Sequence, residues 1–222
     1  MKRQLFVALV LILAVFPLLA DEPEGPWVSL FNGKNLDGWV QRGGKAKYRA
    51  LDKQIVGASV PNTSNSFLCT KKHYADFVLE LEFKVHPELN SGVQIRSHYV
   101  DQVTDKTTGA SFRVPARVQG YQVEIDPSKR AWTGGIYDES RRGWLYDLKK
   151  NEPARKAFKQ NQWNTFRIEC RGPSIKTWLN GVAAADLKDS LTPSGFIALQ
   201  VHGVDKKAEP LEVRFRNLRI KE

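Results

Sequence analysis

Three polar side chains alternate along one short segment, Gly120-Tyr-Gln-Val-Glu-Ile-Asp126. Its composition predicts a β-strand, in which successive side chains point to opposite faces and the rise is roughly 3.3 Å per residue. Gln122, Glu124 and Asp126 therefore share one face, with the two carboxylates roughly 7 Å apart. Amide and carboxylate groups accept and donate hydrogen bonds in fixed directions, so this strand face is typical of one that holds a polar ligand.

Two further segments, residues 93–98 and 196–202, repeat this alternation of apolar and polar side chains. If the three strands lie in one sheet, their polar faces converge. The converging side chains are Gln94, Arg96, Gln122, Glu124, Asp126, Gln200 and His202. A mixture of acid, base, cation and amide suits a hydroxyl-rich ligand.

An aromatic-rich connection over residues 127–162 follows the first of these strands. Connections of this length usually line a site or are disordered, and the aromatic content of this one favours order. Trp132, Tyr137 and Trp144 can stack on the apolar face of a sugar ring. We therefore expect Trp132 and Trp144 to join Gln94, Gln122 and Gln200 in binding a carbohydrate.

Purely structural roles are the alternatives for several of these residues. Arg96 and Glu124 can form an ion pair between strands, and His202, which precedes a glycine, can satisfy a turn. Asp138-Glu139 can be solvated charge in a loop. The functional interpretation depends on the coincidence across three strands rather than on any one residue.

Retaining β-glucanases of the laminarinase type carry a Glu-x-Asp-x-x-Glu strand motif, and Glu124-Ile-Asp126 matches its first half. Such enzymes need two carboxyl groups about 5–5.5 Å apart. Here Lys129 stands at the third acidic position and Pro127 interrupts the strand. The sequence therefore argues against that chemistry.

The first 20 residues predict a secretory signal peptide, because Lys2 and Arg3 precede an apolar run that ends in Leu-Leu-Ala20. The alternative is an uncleaved membrane anchor, but the run is short for a span of roughly 20 residues. We expect cleavage after Ala20 and a periplasmic or secreted protein without a membrane span.

Residues 21–222 are expected to form a single domain. The formal net charge of the whole chain is +10. Its basic residues are scattered rather than gathered on one helix or stripe, so we expect no nucleic-acid partner. Cys69 and Cys170 each sit on the apolar face of a strand-like segment, where a disulfide and two buried thiols are both possible. With two cysteines and no histidine cluster, we expect no structural zinc site and no resident cofactor.

The pattern of the rest of the chain predicts short strands separated by turns. Phe77 to Val85 alternates strictly, and Asn180-Gly181 is a strong hairpin signal that needs positive φ at both positions. The composition of residues 99–119 predicts a long polar connection. Residues 153–160 are predicted to form one or two helical turns. Strands with few short helices predict an all-β sandwich of two antiparallel sheets.

Seven segments resemble, in the same order, the 3-keto-disaccharide hydrolase domain family, formerly a domain of unknown function. They are Leu30-Phe-Asn-Gly-Lys-Asn-Leu-Asp-Gly-Trp39, Asn90-Ser-Gly-Val-Gln-Ile-Arg96, Gly120 to Asp126, Thr133-Gly-Gly-Ile-Tyr137, Gln162-Trp-Asn164, Trp178-Leu-Asn-Gly181 and Gly195 to His202. The resemblance spans about residues 28–221. It implies a concanavalin A-like jelly-roll sandwich, exported by bacteria, with a sugar site on its concave face.

The resemblance also implies cleavage of glycosides already oxidised at C3. The ketone acidifies the C2 proton, a base removes it, and the C1 substituent leaves by β-elimination before water adds. From their spacing, we expect Glu124 or His202 to act as base, Arg96 to stabilise the enolate oxygen, and Tyr137 or Asp126 to serve the leaving group. A divalent cation bound by Glu124 and Asp126 is the alternative electrophile. The alternative function is a lectin-like carbohydrate-binding module without catalysis.

Overall fold

The computed structural model describes residues 25–104, 107–205 and 210–222. The expected signal peptide, residues 1–20, lies outside the described residues. Within them the chain forms fifteen strands and one short helix. In chain order these are β1 (Val28–Ser29), β2 (Trp39–Gly43), β3 (Lys47–Leu51), β4 (Gln54–Ala58), β5 (Ser66–Thr70), β6 (Phe77–Val85), β7 (Ser91–Thr104), β8 (Ser111–Ile125), β9 (Ile136–Glu139), β10 (Gly143–Tyr146), α1 (Glu152–Ala157), β11 (Asn164–Arg171), β12 (Ser174–Leu179), β13 (Val182–Lys188), β14 (Phe196–Val201) and β15 (Glu212–Lys221).

The strands build two antiparallel sheets. The first runs in the order β13-β12-β11-β6-β15-β4-β3, with β1 paired to β15. The second runs in the order β10-β9-β8-β7-β14-β5-β2. The prediction of a two-sheet antiparallel jelly-roll sandwich is confirmed. No helix in the described ranges is long and apolar enough to cross a membrane.

The core lies between the two sheets and follows from strand alternation. Every second residue of β6 is buried there: Phe77, Leu79, Leu81, Phe83 and Val85, each at most 3% exposed. The second sheet supplies residues such as Val93, Ile95, Tyr121, Val123 and Leu199 from β7, β8 and β14. Because burying such a side chain stabilises the fold by about 1.5–3 kcal/mol, these alternating faces fix which side of each strand points inward.

Local signals fix the hairpin and the helix. Asn180 and Gly181 join β12 to β13 with φ values of 50° and 82°, which confirms the predicted turn. Asn151 caps α1, since its side chain accepts a hydrogen bond from the Ala154 amide at 3.2 Å. Both elements lie where the sequence predicts them.

The polar segment 99–119 is not the connecting loop that its composition predicts. It continues β7 to Thr104 and begins β8 at Ser111. We call this two-stranded projection, residues 98–104 and 111–119, the arm. Most of its side chains are exposed on both faces. Residues 111–119 do alternate, with Phe112, Val114, Ala116 and Val118 on one face, so this half of the arm carries a strand signal that its polar composition conceals.

The arm curls over the outer face of the second sheet. β8 contacts β2, although β7, β14 and β5 separate the two strands within the sheet. The guanidinium of Arg42, on β2, stacks 4.6 Å above the Tyr99 ring of the arm. Val118 of the arm packs beside Phe67 and Phe196 in a small apolar cluster. This cluster anchors the arm to the sheet.

A bulge at Arg96 overturns one of the site predictions. The register of β7 against β8 shifts between Ile95 and His98, and Arg96 has a φ of 46°. A bulge bends the strand and interrupts the alternation of faces. Arg96 consequently turns away from the polar face and is 1% exposed. Neither the enolate role of Arg96 nor its ion pair with Glu124 is possible from this position.

Arg96 instead fastens the second sheet to the first. Its Nε donates to the Ala75 carbonyl at 2.7 Å, its Nη1 to the Gly172 carbonyl at 2.6 Å, and its Nη2 to Asp76 Oδ1 at 2.8 Å. Ala75 and Asp76 precede β6, and Gly172 lies in the turn between β11 and β12. We call these four residues the inter-sheet clamp.

The two cysteines do not bond to each other. Each is a buried thiol in the described part of the chain. Cys69 lies in the apolar cluster beneath the arm, and Cys170 lies in the main core between the sheets. Of the two possibilities that the sequence leaves open, the structure shows buried thiols.

Replacing the clamp arginine should cost substantial stability. We expect Arg96→Ala to lower the free energy of unfolding by about 2–5 kcal/mol, because a large buried side chain is deleted together with three charge-assisted hydrogen bonds. Urea unfolding followed by tryptophan fluorescence measures the change. Arg219→Ala, at an exposed ion pair with Glu80, is the control and should cost at most about 1 kcal/mol. Equal costs for the two variants would contradict a structural role for the clamp.

Candidate functional site

A polar cavity of about 270 Å³ opens on the outer face of the second sheet. It is smaller than the roughly 300–1,000 Å³ typical of drug-sized ligands, which suits one sugar ring better than a chain. Its lining is mostly amide and charged side chains, with two aromatic rings. The lining residues are Asn65, Asn90, Gln122, Glu124, Arg130, Tyr137, Glu139, Trp144, Gln200 and His202. We call it the Glu124 cavity.

A missing side chain opens the floor of the Glu124 cavity. In the strand register, Gly92 of β7 lies opposite Glu124 on one side and opposite Gln200 on the other. A Cβ atom on Gly92 would stand 2.5 Å from Cδ of Gln122, which is closer than real contacts allow. Glycine at this position therefore lets the polar side chains of β8 and β14 face one another across β7.

Glu124 is the buried carboxylate of this floor, at 4% exposure. Its oxygens accept hydrogen bonds from Asn90 Nδ2 at 2.6 Å and from Gln122 Nε2 at 2.9 Å. Gln94 in turn holds Gln122, because Gln94 Nε2 donates a hydrogen bond to Gln122 Oε1 at 2.7 Å. Burial raises the pKa of Glu124 in spite of these hydrogen bonds. A carboxylate held in place with a raised pKa is a stronger base than one in water.

Arg130 lies beside Glu124 and bridges it to Asp126. Its Nε donates to Asp126 Oδ2 at 2.7 Å, and its Nη2 lies 3.4 Å from Glu124 Oε1. Burial alone would raise the pKa of Asp126, but hydrogen bonds from Ser128 and Arg130 outweigh it and lower that pKa. An ion-paired carboxylate of low pKa donates protons poorly, so Asp126 suits the positioning of Arg130 better than a leaving-group role.

Two indole rings hold Arg130 in position. Its guanidinium carbon lies 4.8 Å from the centre of the Trp132 ring and 4.9 Å from that of Trp144. These distances are within the range of cation–π attraction. Trp144 also lines the Glu124 cavity, whereas Trp132 contacts Arg130 and packs beside a small apolar cluster near α1. Trp132 thus supports the site by holding Arg130.

The segment that carries Arg130 is tied to both sheets. Thr133 Oγ1 accepts from the Asp126 amide at 2.9 Å, and Thr177 Oγ1 of the first sheet donates to the Gly134 carbonyl at 2.6 Å. Gly134 has a φ of 95°, and a Cβ there would stand 2.8 Å from Cβ of Ala184. The Thr-Gly-Gly motif therefore serves close packing, which fixes Arg130 over the sheet.

Glu139 and His202 close the opposite side of the Glu124 cavity. Burial raises the pKa of Glu139, and the nearby His202 partly opposes this. Gln200 Nε2 lies 3.4 Å from Glu139 Oε2, while Gln200 Oε1 is buried and finds no hydrogen-bond partner among the described residues. His202 Nδ1 lies 2.7 Å from the Gly203 carbonyl oxygen, so His202 serves the turn and also lines the cavity.

The sequence locates part of this site. Of the predicted residues, six line the Glu124 cavity: Gln122, Glu124, Tyr137, Trp144, Gln200 and His202. Gln94 contacts Gln122 and Trp132 contacts Trp144 from behind. Asp126 contacts Arg130, a further lining residue, and Arg96 lies in the inter-sheet clamp.

Four lining residues are absent from the sequence prediction, namely Asn65, Asn90, Arg130 and Glu139. Glu139 follows Tyr137 by two positions in β9 and so shares its face, which is a usable signal. Asp138, between them, faces the interior and is 0% exposed, so the two acids of this loop are not simply solvated charge. Asn65 and Arg130 lie outside strands, and no periodicity could have indicated them.

Among the described residues, no group of three or more His, Cys, Asp or Glu side chains is placed to hold a metal ion. A divalent cation at Glu124 and Asp126, the alternative electrophile, would have only these two protein carboxylates. Arg130 already supplies a positive charge to both of them. Arg130 is therefore a cation of this cavity that can stabilise a developing anion.

Two cavities of the first sheet are larger, at about 540 and 460 Å³. The carboxylates that line them are ion-paired within the chain, Glu212 with Arg214 at 2.7 Å and Glu80 with Arg219 at 2.5 Å. Matched surface charges of this kind are typical of a sheet face rather than of a reactive site. The Glu124 cavity, with two carboxyl groups of raised pKa, is the better candidate.

A charge network anchors β9, which carries Tyr137 and Glu139, from behind. The buried Asp138 carboxylate pairs with Arg141 at 2.6 Å and with Arg142 at 2.5 Å. Arg142 also reaches Asp189 at 2.8 Å, and the Tyr121 hydroxyl donates to Asp189 as well. Burial alone would raise the pKa of Asp189, but the hydrogen bonds from Arg142 and Tyr121 lower it to about 2.

These features together define a jelly-roll sandwich with a polar, carboxylate-bearing site on the outer face of one sheet. Residues 26–221 match the 3-keto-alpha-glucoside-1,2-lyase-like domain, and the chain belongs to this family. Among curated proteins, none matches the sequence.

Solved structures show the same fold at low sequence identity. A candidate glycosyl hydrolase from Parabacteroides distasonis ATCC 8503 is 19% identical, with a TM-score of 0.56 over 89% of this chain and 94% of that chain. The carbohydrate-binding module CBM66 from Bacillus subtilis is 16% identical, with a TM-score of 0.57 over 83% and 96%. A β-glucanase from Bacillus licheniformis is 12% identical, with a TM-score of 0.54 over 89% and 98%. At these identities the likeness establishes the fold alone.

The ion-pair network of Asp138, Arg141, Arg142 and Asp189 should contribute less to the stability of the fold in acid. Because the pKa of Asp189 is lower in the folded chain than in the unfolded one, its contribution to stability is present above about pH 4 and is lost as pH falls towards 2. We expect Asp189→Asn to be less stable than wild type at pH 7, and this difference to shrink from pH 4 to pH 2. Urea unfolding at a series of pH values measures it. Asp37→Asn, at an exposed residue, is the control; a constant difference for Asp189→Asn would contradict the linkage.

Proposed function

We propose that the protein is an exported carbohydrate-active hydrolase or lyase that cleaves 3-keto-glycosides by abstraction of the C2 proton, β-elimination and hydration. The single observation that carries this proposal is the buried Glu124 carboxylate with the Arg130 guanidinium 3.4 Å away, in a small polar cavity. Proton abstraction next to a ketone needs a base at the C2 hydrogen. It also needs a positive group at the ketone oxygen, because negative charge develops there. Family membership and the fold support a carbohydrate substrate.

Glu124 is the base of this mechanism. A ketone at C3 acidifies the proton on C2, and Glu124 takes that proton while the electron pair forms an enolate. The hydrogen bonds from Asn90 and Gln122 fix the carboxylate before the substrate arrives, so no reorganisation is needed. His202 is the alternative base, but it is exposed, whereas Glu124 is 4% exposed.

Arg130 takes the electrophilic role that the sequence assigns to Arg96. It is held between two indole rings and also pairs with Asp126, so its charge is fixed beside Glu124. A preorganised cation stabilises the developing enolate oxygen more strongly than a mobile one. Collapse of the enolate expels the C1 substituent, and addition of water to C1 then completes a net hydrolysis.

Export is part of the proposal and rests on the amino-terminal sequence alone. A basic start, an apolar run and Leu-Leu-Ala20 favour a cleaved signal peptide. A periplasmic or secreted protein would meet glycosides outside the cytoplasm.

A non-catalytic carbohydrate-binding module is the second candidate. The observation that favours it is the number of amides in the lining, since Asn65, Asn90, Gln122 and Gln200 can bind sugar hydroxyls without any reaction. Tyr137 and Trp144 add stacking surfaces. The raised pKa of Glu124 and its paired arginine are the features that such a module would not need.

Removing the base should abolish cleavage of the oxidised substrate. We expect purified protein to release product from a 3-keto-glucoside but not from the unoxidised parent glucoside. Glu124→Gln should lower kcat/KM by about 100-fold or more, because general base catalysis is lost while the cavity keeps its shape. Chromatography of released sugars measures the rate, and Glu152→Gln, on the exposed start of α1, is the matched control. Binding of both sugars with release from neither would support the binding module instead.

The proposed first step also predicts an isotope effect. A 3-keto-glucoside that carries deuterium at C2 should react more slowly than the protium compound if proton abstraction limits the rate. Direct comparison of kcat/KM for the two substrates measures the effect. Equal rates, together with an unchanged rate for Glu124→Gln, would remove C2 abstraction from the mechanism.

A further inference from the structure

A second cavity adjoins the Glu124 cavity beneath the arm. It has a volume of about 360 Å³. Its lining includes Ser64, Asn65, Phe67, Arg117 and Glu139. Asn65 and Glu139 also line the Glu124 cavity, so the two spaces meet at these two side chains. We call the second space the arm cavity.

Backbone geometry places Glu139 on the wall between the two cavities. Glu139 of β9 pairs with Gly120 of β8, where φ is 142° and a Cβ would stand 2.3 Å from Ser97 Oγ. Only glycine accommodates both that φ and that approach. Gly120 lies next to the bulge at Arg96, where the arm begins. Glu139 therefore stands where the flat sheet gives way to the arm.

We propose that Glu139 is the catalytic acid for the departing glycosidic oxygen and that the arm cavity receives the leaving group. This inference rests on the proposed function. Glu124 and Arg130 line only the Glu124 cavity, so the oxidised ring belongs there. A substituent on its C1 that extends into the arm cavity must pass Glu139, because that side chain lines both spaces.

The lining of the arm cavity defines the class of leaving group. Ser64, Asn65 and Arg117 offer hydrogen-bond partners, and Phe67, which is 3% exposed and packs in the apolar cluster beneath the arm, adds a small apolar surface. Such a mixture suits a second sugar ring or another polyhydroxylated ring, which has an apolar face and a polar rim. The substrates are accordingly 3-keto-disaccharides or 3-keto-glycosides with an aglycone of this kind.

The neighbours of Glu139 can accommodate both its carboxylic acid form and its carboxylate form. Burial favours the protonated carboxyl group and so raises the pKa of Glu139. The Gln200 amide lies 3.4 Å away, with its Nε2 towards the carboxyl group and its Oε1 buried without a hydrogen-bond partner in the described residues. An amide can donate to a carboxylate or, when rotated, accept from a carboxylic acid. Of the two groups that the sequence suggests for the leaving oxygen, Asp126 is held as a carboxylate by Arg130, and Tyr137 lines the Glu124 cavity but not the arm cavity.

The two carboxyl groups complete a balanced cycle. In elimination, Glu124 accepts the C2 proton and the electron pair forms the enolate. Collapse of the enolate restores the C3 carbonyl, forms the C1–C2 double bond and breaks the C1–O bond, while Glu139 gives its proton to the departing oxygen. In hydration, the Glu139 carboxylate takes a proton from the water that attacks C1, and Glu124 returns a proton to C2. Both groups end in their starting states, and no oxidant, reductant or further reactant is consumed.

A pair of substrates tests the acid role. A 3-keto-disaccharide needs its leaving oxygen protonated, whereas a 3-keto-glucosyl fluoride expels fluoride without such help. We expect Glu139→Gln to lower kcat/KM for the disaccharide by about 100-fold or more and to leave the fluoride rate near that of wild type. Glu124→Gln should slow both substrates, since both need C2 proton abstraction. A merely structural role for Glu139 would affect the two substrates equally, and that outcome, or no effect on either, would overturn the proposal.

A second variant tests the leaving-group cavity. Ser64 is exposed, so Ser64→Trp should fold and partly fill the arm cavity. We expect it to raise KM for the disaccharide and not for the fluoride, whose leaving group is a single atom. Unchanged KM for both would refute the assignment of the cavity. If wild-type protein cleaves neither substrate, the proposed function itself fails and the role of Glu139 with it; cleavage with a Glu139→Gln variant of normal rate overturns the role of Glu139 alone.

Discussion

Strand register controls where the polar side chains on the floor of the Glu124 cavity point. The apolar side chains of β8 pack into the core between the sheets, and the intervening residues, Gln122 and Glu124, must then face outwards. A shift of one residue would bury the amide and the carboxylate in the core and expose Val123. The register of β8 against β7 also sets Glu124 beside Gly92, which has no side chain to fill the space above it. Hydrophobic burial, a force with no direction of its own, therefore orients the polar face that lines the Glu124 cavity.

Much of the architecture can be predicted from the sequence, because it follows the alternation of apolar and polar residues along each strand. Residues 77–85 and the Asn180-Gly181 turn are predicted correctly, since each depends on neighbours close in the chain. The cluster of Gln122, Glu124 and Gln200 is also predicted, because all three lie on regular strands. Where alternation is regular, the order of residues alone identifies the face that each side chain occupies.

The wrong prediction for Arg96 falls where alternation stops. Arg96 is expected among the polar residues, but the bulge beside it turns its side chain towards the first sheet. The positive φ of Arg96 has no signature in the residue type, since arginine rarely adopts it. Arg130 and Asn65 approach the cavity from loops, where position depends on tertiary contacts. The strand pattern consequently assigns the cation to Arg96, whereas the described structure places Arg130 beside Glu124.

The chemistry of the two cysteines has a consequence for how the protein matures. Burial raises the pKa of Cys69 and of Cys170 to about 12, so each stays protonated and shielded. The fold is thus held together without any covalent cross-link between its sheets. Its maturation therefore needs neither a thiol oxidant nor a disulfide isomerase, and we expect the same native molecule in a reducing or an oxidising compartment.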